Sequence, residues 1–321
     1  TRAVTKQLAF EITGIVTGDE IERMEDHDLT HAVETSNVFA RITPSHKLRI
    51  LRALKAAGHR VGFIGDGVND APALRAADVG ISFESAVDVA KEAAGIILLQ
   101  KNLSVLADGI REGRKTFVKT QTYIRTTISS NFGNMLSVAG AALMLPFIPL
   151  LPAQILLLNL IGDLPMLATV SDRVSDEDVA QPKKWDVRLT ANFMYFFGTI
   201  SSVADYATFS FLLFVAHANV PLFRSGWFLE SIITQIIAIF LLRSRRLSIK
   251  NIPSLLVFAS AAVAIAVSVV LIETPLGQTF AFVPLGMQTI GVIVAIVIGY
   301  AILTELGKIA YARFQEQRPL L

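Results

Sequence analysis

Two aspartates, Asp66 and Asp70, lie four residues apart in the turn Gly65-Asp-Gly-Val-Asn-Asp70. On a turn that enters a helix, both carboxylates can converge on one hard cation. Magnesium suits such a place, because it takes one or two carboxylates and keeps waters and a phosphate as its other ligands. Gly65 and Gly67 let the backbone turn tightly and approach a ligand closely. Asp70, or the amides near Pro72, is expected to cap the helix that follows. An isolated Asp-Gly pair is most often a turn with no ligand, but the whole run from Gly65 to Ile81 is too particular for that. A second group sits in apolar surroundings. Asn131 and Asn134 are three apart, and Asn159 and Asp163 four apart, so each pair shares one helical face. Pro165 removes a helix hydrogen bond near Ile161 and can free backbone carbonyls as ligands. A carboxylate, amide oxygens and carbonyls together make a hard-oxygen cation site. Polar contact between helices, worth about 0.6 kcal/mol each, competes as a reading for Asn131 but not for Asp163.

These residues need two kinds of scaffold. Arg60–Ile64 reads as a short apolar strand before the Asp66 turn, with a helical pattern from Pro72. Val79–Phe83 and Gly95–Leu99 read as further buried strands, with a helix near Val87–Ala94 between them. Ser45–Ala57 is amphipathic. Strand–helix alternation of this kind implies a parallel sheet with helices on its faces, where ligands bind at the carboxyl ends of strands. The Asp66 turn occupies such an end.

Downstream the chain changes character. Of its 321 residues, 52% are hydrophobic and 17% charged, with a mean hydropathy of +0.53. The first 105 residues hold 12 of the 29 basic and 14 of the 27 acidic residues, like an ordinary soluble domain. Beyond them lie six apolar stretches: Thr126–Leu145, Leu150–Ser171, Phe193–Ala216, Trp227–Leu242, Ile252–Ile272 and Val283–Thr304. A membrane helix needs about 20 mostly apolar residues. Five stretches reach that length, and Trp227–Leu242 is short. Basic residues gather in alternate loops: Arg111, Arg114, Lys115, Lys119 and Arg125; Arg173, Lys183, Lys184 and Arg188; Arg243, Arg245, Arg246 and Lys250; then Lys308, Arg313 and Arg318. The three intervening loops hold only Arg224. The positive-inside rule therefore expects residues 1–125 and the C-terminus in the cytoplasm of a multi-pass protein of the cell membrane. The net charge of +2 and the absence of a basic arm give no footing for nucleic acid. Zero cysteines exclude disulfides, thiolate nucleophiles and cysteine-ligated metals. Asp205 and Glu230 fall inside the third and fourth stretches. A second ion site, a proton relay and a structural pair with groups such as Gln235 all stay open for them.

The run from Gly65 to Ile81 closely resembles the hinge motif of P-type cation-transporting ATPases. That resemblance implies a haloacid-dehalogenase-like α/β phosphorylation domain of Rossmann-like build. In it Asp66 coordinates catalytic Mg2+, Asn69 and Asp70 order the site, and ATP is the substrate of the complete protein. The segment Phe39–Lys47 looks like the family's lysine segment, which makes Lys47 the contact to a transferring phosphoryl group. A point charge there offsets phosphate charge. Thr17-Gly-Asp19 spells a short family motif but follows the wrong neighbours, so a surface turn is expected. The membrane motifs Ser129–Asn134 and Leu158–Pro165 resemble the family's cation-site spans, with Asn134 where calcium pumps carry a glutamate, which leaves less negative charge, and Gly162 in place of a hydroxyl residue. Phe196–Asp205 and Ser225–Glu230 look most like the bacterial magnesium-transporting branch. Six spans and no cysteine argue against the heavy-metal pumps.

The family's nucleophile motif, Asp-Lys-Thr-Gly-Thr, does not occur in the chain. The expectation is therefore a C-terminal portion in three parts. They are residues 1–105 of a partial phosphorylation domain, a basic stalk helix over 106–125 that transmits domain movement, and a membrane domain of six helices over 126–321. The actuator and nucleotide-binding domains and the first four spans are expected elsewhere. The lipid bilayer and a transported divalent cation, magnesium first and calcium or protons as alternatives, are the expected partners. A membrane-anchored phosphatase ranks lower, for want of an Asp-x-Asp or Asp-x-Thr strand, and a non-catalytic scaffold derived from a pump is the other alternative.

Overall fold

The computed structural model describes residues 11–243 and 253–316. The basic positions Arg245, Arg246, Lys250 and Arg318 lie outside these. The chain divides into two compact units at Ile110.

In the first unit, β1 (Ile15–Thr17) pairs in parallel with β2 (Val38–Ala40), Ile15 opposite Val38. Helices α1 (Gly18–Arg23) and α2 (Asp26–Thr35) join them. Thr17-Gly-Asp19 is not a surface turn. Thr17 occupies the N-cap position of α1, and the Glu20 carboxylate accepts from the Thr17 amide at 2.7 Å and its hydroxyl at 2.8 Å. Helix α3 (Pro44–Ala56) starts where Thr43 accepts from the His46 amide and Pro44 presets the first turn. Its buried face, Ile50 and Ala53, packs with Val16, Ile21, Leu29 and Val33. A separate three-stranded parallel sheet follows: β3 (Gly62–Ile64), β4 (Val79–Phe83) and β5 (Ile96–Leu98), in that order. Gly62 lies opposite Val79, and Ile81 opposite Ile96. Helices α4 (Ala71–Ala76) and α5 (Asp88–Ala93) supply Leu74, Ala90 and Ala93 to the core beneath it. The alternation expected from sequence is present, divided between two small sheets among the described residues.

Helix α6 (Leu103–Met144) is one uninterrupted helix that passes the division at Ile110. The second unit continues with α7 (Pro152–Ala168), a short α8 (Asp176–Ala180), α9 (Val187–Ser210), α10 (Val220–Leu242), α11 (Leu255–Glu273) and α12 (Met287–Glu316). A π-helical turn, Phe211–Val215, ends α9. Five helical segments among the described residues are long and apolar enough to cross a membrane: Pro152–Ser171, Val187–Val215, Val220–Leu242, Leu255–Glu273 and Met287–Arg313. Thr126–Leu145, expected as a sixth, is helical almost throughout but is not among them. Its hydroxyls and amides (Thr126, Thr127, Ser129, Ser130, Asn131, Asn134 and Ser137) lower its hydropathy.

The stretch that looked too short, Trp227–Leu242, belongs to a 23-residue helix. Asn219 accepts from the Leu222 amide at 3.0 Å to begin it, Pro221 fits the first turn, and Arg224 donates to the Ile148 carbonyl at 2.8 Å. Helix α10 is the centre of the unit. Phe223, Trp227, Phe228, Ile232 and Ile236 are buried against Phe209, Leu212 and Phe282. The basic residues of α6 tie down the connection after α7. Arg114 donates to the Val179 and Ala180 carbonyls at 3.1 Å, Lys119 to Val170 at 2.6 Å, and Arg111 pairs with Asp176 at 2.5 Å.

Candidate functional site

The Asp66 turn is built by strand β3 ending against β4. The Gly65 amide donates to the Ile81 carbonyl at 3.1 Å, and the buried Ser82 hydroxyl donates to the Gly65 carbonyl at 2.8 Å. Val68–Asp70 forms a single 3-10 turn, and α4 follows. A Cβ at Gly65 would overlap the Asp70 side chain, so only glycine permits this close fold.

Asp70 is buried, and both of its oxygens are engaged. Lys47, from the first turns of α3, donates to Oδ1 at 2.6 Å, and the Gly67 amide donates to Oδ2 at 3.2 Å. Burial alone would raise the Asp70 carboxyl, but the Lys47 ammonium and the loop amides outweigh it and hold it below the usual carboxylate range. Asp70 makes no side-chain cap on α4, contrary to expectation, because its carboxylate turns back to Gly67 and Lys47. The structure thus brings Lys47, Gly65, Gly67 and Asp70 together.

Asp66 stands apart from that knot. Its side chain is 54% exposed, and Lys101 lies 3.2 Å from Oδ2. Asn69 is exposed beside it. A carboxylate presented to solvent at the end of a parallel strand, with a second carboxylate already neutralised behind it, fits a magnesium site made of one protein ligand and waters. Lys101 escaped the sequence reading. It follows β5 at the same carboxyl end of the sheet as Asp66, and it also lies 5.6 Å from the centre of the Phe83 ring. That shared strand end was the signal for it.

In the membrane unit, Asn131, Asn159 and Asp163 lie on exposed faces of α6 and α7, and Asn134 is half-buried. No group of three or more acidic or histidine side chains gathers among the described residues. The opposite face of α7, with Leu158, Ile161, Gly162 and Pro165, is buried. There the Gln235 amide of α10 packs directly on Gly162, where a side chain would collide with it, and Gln235 Oε1 has no hydrogen-bond partner among the described residues. Gln235, named above as one candidate structural partner of Asp205 and Glu230, thus packs on Gly162, the residue before Asp163 in sequence. Asp205 and Glu230 are both buried and face each other across α9 and α10.

The comparisons agree with this division. The family described as cation transporting ATPase, C-terminus, matches residues 147–310, and the haloacid dehalogenase-like hydrolase family matches residues 2–78. The chain is 42% identical over 315 residues to "Magnesium-transporting ATPase, P-type 1" of Escherichia coli strain K12, covering 97% of this chain and 35% of that protein. It is equally similar, over the same shares, to the protein of that name from Salmonella typhimurium strain 14028s. A "Calcium-transporting ATPase" of Bacillus subtilis strain 168 is 40% identical over 161 residues, half of this chain and 18% of that protein. The chain therefore spans about a third of the length of its magnesium-transporting relatives. With an α/β unit of the hydrolase type followed by apolar helices that match the C-terminal family over half of the sequence, the chain belongs to the cation-transporting ATPases.

Proposed function

We propose that this chain is the C-terminal part of an ATP-driven pump that moves magnesium across the cell membrane. Its 42% identity over 97% of the chain to two magnesium-transporting ATPases carries the ion and the reaction. The geometry supports the following roles for its residues. Asp66 holds the catalytic Mg2+, which neutralises phosphate charge when bound. Lys47 presents its ammonium to the phosphoryl group, while Asp70 holds that ammonium and the Gly67 amide in place. Asn69 lies at the rim of the same turn. In these roles Lys47, Asp66, Asn69 and Asp70 form half of a phosphorylation site. The exposed edge of β3, unpaired among the described residues, suits addition of the strand that brings an aspartate nucleophile and its ATP-binding partner domains.

The ion path runs between α6 and α7. Asn131, Asn134, Asn159 and Asp163 are its oxygen ligands, with the Ile161 carbonyl that Pro165 leaves without a partner. A carboxylate on a lipid-facing helix is costly, so the exposed face carrying Asn159 and Asp163 supports a cover of further protein spans. In this reading α6 from Thr126 is the first of six spans after the phosphorylation domain. Residues 1–125 and the C-terminus are cytoplasmic, and the basic part of α6 is the stalk.

ATP-driven flux of magnesium, calcium, nickel and protons, measured in vesicles holding the full-length protein, tests the proposal. Magnesium flux that is lost in Asp163→Asn is the expected result. Flux of another ion alone would overturn the assignment of magnesium, and full magnesium flux in Asp163→Asn would make that residue structural.

A further inference from the structure

Asp205 and Glu230 form a buried acid pair with unequal partners. Asp205, 2% exposed on α9, collects donors: the Ser137 hydroxyl of α6 reaches Oδ2 at 2.6 Å, and the Trp227 indole N–H reaches Oδ1 at 2.7 Å. The Ser231 hydroxyl, 1% exposed, also stands beside it with no hydrogen-bond partner of its own. Glu230, fully buried on α10, collects none. Among the described residues neither of its oxygens has a hydrogen-bond donor, and its carboxyl lies within hydrogen-bonding reach of the Asp205 carboxyl. The nearby Thr234 hydroxyl is directed to the backbone carbonyls of Glu230 and Ser231 at 2.9 and 3.1 Å.

Two acceptors that face each other out of water need a positive charge or a proton between them. Among the described residues the remaining titratable group facing the pair is the Tyr300 phenol of α12, and no basic side chain acts on Glu230. A metal ion fits poorly. The indole N–H is a donor only, it occupies one Asp205 oxygen, and it cannot turn an acceptor toward a cation. We infer that Asp205 and Glu230 are a proton-binding site within the membrane domain, with Asp205 ionised and Glu230 protonated and donating its O–H to Asp205. The donor inventory decides which partner holds the proton: Ser137 and Trp227 both donate to Asp205, whereas the Thr234 hydroxyl beside Glu230 is spent on backbone carbonyls. Ser137 lies three residues beyond Asn134 on α6, so the helix of the proposed ion path donates directly to this site.

The inference does not depend on the transported ion or on activity. Infrared spectroscopy of the purified full-length protein in lipid reads it directly. At neutral and mildly alkaline pH the expected signal is a carboxylic-acid C=O band that shifts on exchange into deuterated water. One such acid per molecule should disappear in Glu230→Gln, whose amide can donate to Asp205 in place of the acid. In Asp205→Asn the acid should remain, with its band shifted as the Glu230 O–H turns from a carboxylate to the new amide oxygen. If the wild-type protein lacks the band, or if Glu230→Gln retains it, the inference is overturned. Bound magnesium that survives chelation, accompanies a missing acid band and is lost in Glu230→Gln would show a cation there instead. Should either variant fail to fold, the wild-type band still decides.

Discussion

Asp66 and Asp70 differ in what surrounds them, and their substitutions should differ accordingly. Asp66 is half exposed, and its pairing with the exposed Lys101 is worth no more than about 1 kcal/mol. Asp66→Asn should therefore leave thermal unfolding of the full-length protein nearly unchanged while abolishing phosphoenzyme formation from ATP; normal labelling would remove Asp66 from the site. Asp70 is a structural anchor for Lys47, and Asp70→Asn should cost about 1–3 kcal/mol through the weakened charge-assisted bond. The pH dependence has a definite sign. Because the folded carboxyl is held low by Lys47 and the loop amides, its contribution is present above the ordinary aspartate range. It is lost as pH falls through the lowered value. Unfolding midpoints followed toward acid should show this limb in the wild type and a shallower one in Asp70→Asn. The types and spacing of Lys47, Asp66 and Asp70 were legible in the sequence. The division of labour was not, because it depends on a contact between residues 47 and 70 that no local pattern encodes.

Among the elements, the buried ion pair at the end of α7 joins three helices. Asp172 accepts from Arg243 of the α10 terminus at 2.7 Å and from the Ser254 amide that precedes α11 at 2.8 Å. Removing one partner of a buried pair costs about 3–5 kcal/mol. Asp172→Ala should thus lower the unfolding midpoint of the full-length protein sharply, whereas Arg111→Ala, which breaks an exposed pair with Asp176, should not. Equal midpoints would deny the junction its role. Sequence patterns placed these helices well but misjudged some of their starts. Pro221, Arg224 and Gly226 interrupt the apolar run of α10, yet proline suits a first turn and Arg224 reaches out to Ile148. In Thr17-Gly-Asp-Glu20 the Thr-x-x-Glu spacing, with the Glu20 carboxylate reaching back to the Thr17 amide, marks the start of α1 more strongly than the likeness to a short family motif marks a turn. Strands β3, β4 and β5 lie within or at the runs expected of them; their separation from β1 and β2 is a long-range property.

Over the whole molecule, the distribution of exposed surface separates lipid from protein contacts. Helix α11 exposes Leu255, Leu256, Phe258 and Val263 with no charge until Glu273, as a lipid-facing helix should. The exposed face of α7 mixes Leu156, Leu160 and Leu167 with Asn159 and Asp163, which hydrocarbon tolerates badly. In a cysteine-free full-length protein, a single cysteine at Leu160 should resist a membrane-soluble alkylating reagent, while one at Leu256 should react. Equal reaction would mean that no other span covers α7. This contrast follows from the folded faces; hydropathy alone scores both helices as apolar.

The hydrogen bond from Trp227 to Asp205 has an optical consequence. The chain contains only two tryptophans, and the other, Trp185, is 42% exposed beside Phe117. In a full-length protein whose other tryptophans are replaced by phenylalanine, Trp227 would be a single native fluorophore hydrogen-bonded to a carboxylate. Its emission colour and lifetime would then respond to the charge of that carboxylate, giving the interior of the helix bundle a built-in indicator that can be followed in real time without an added label.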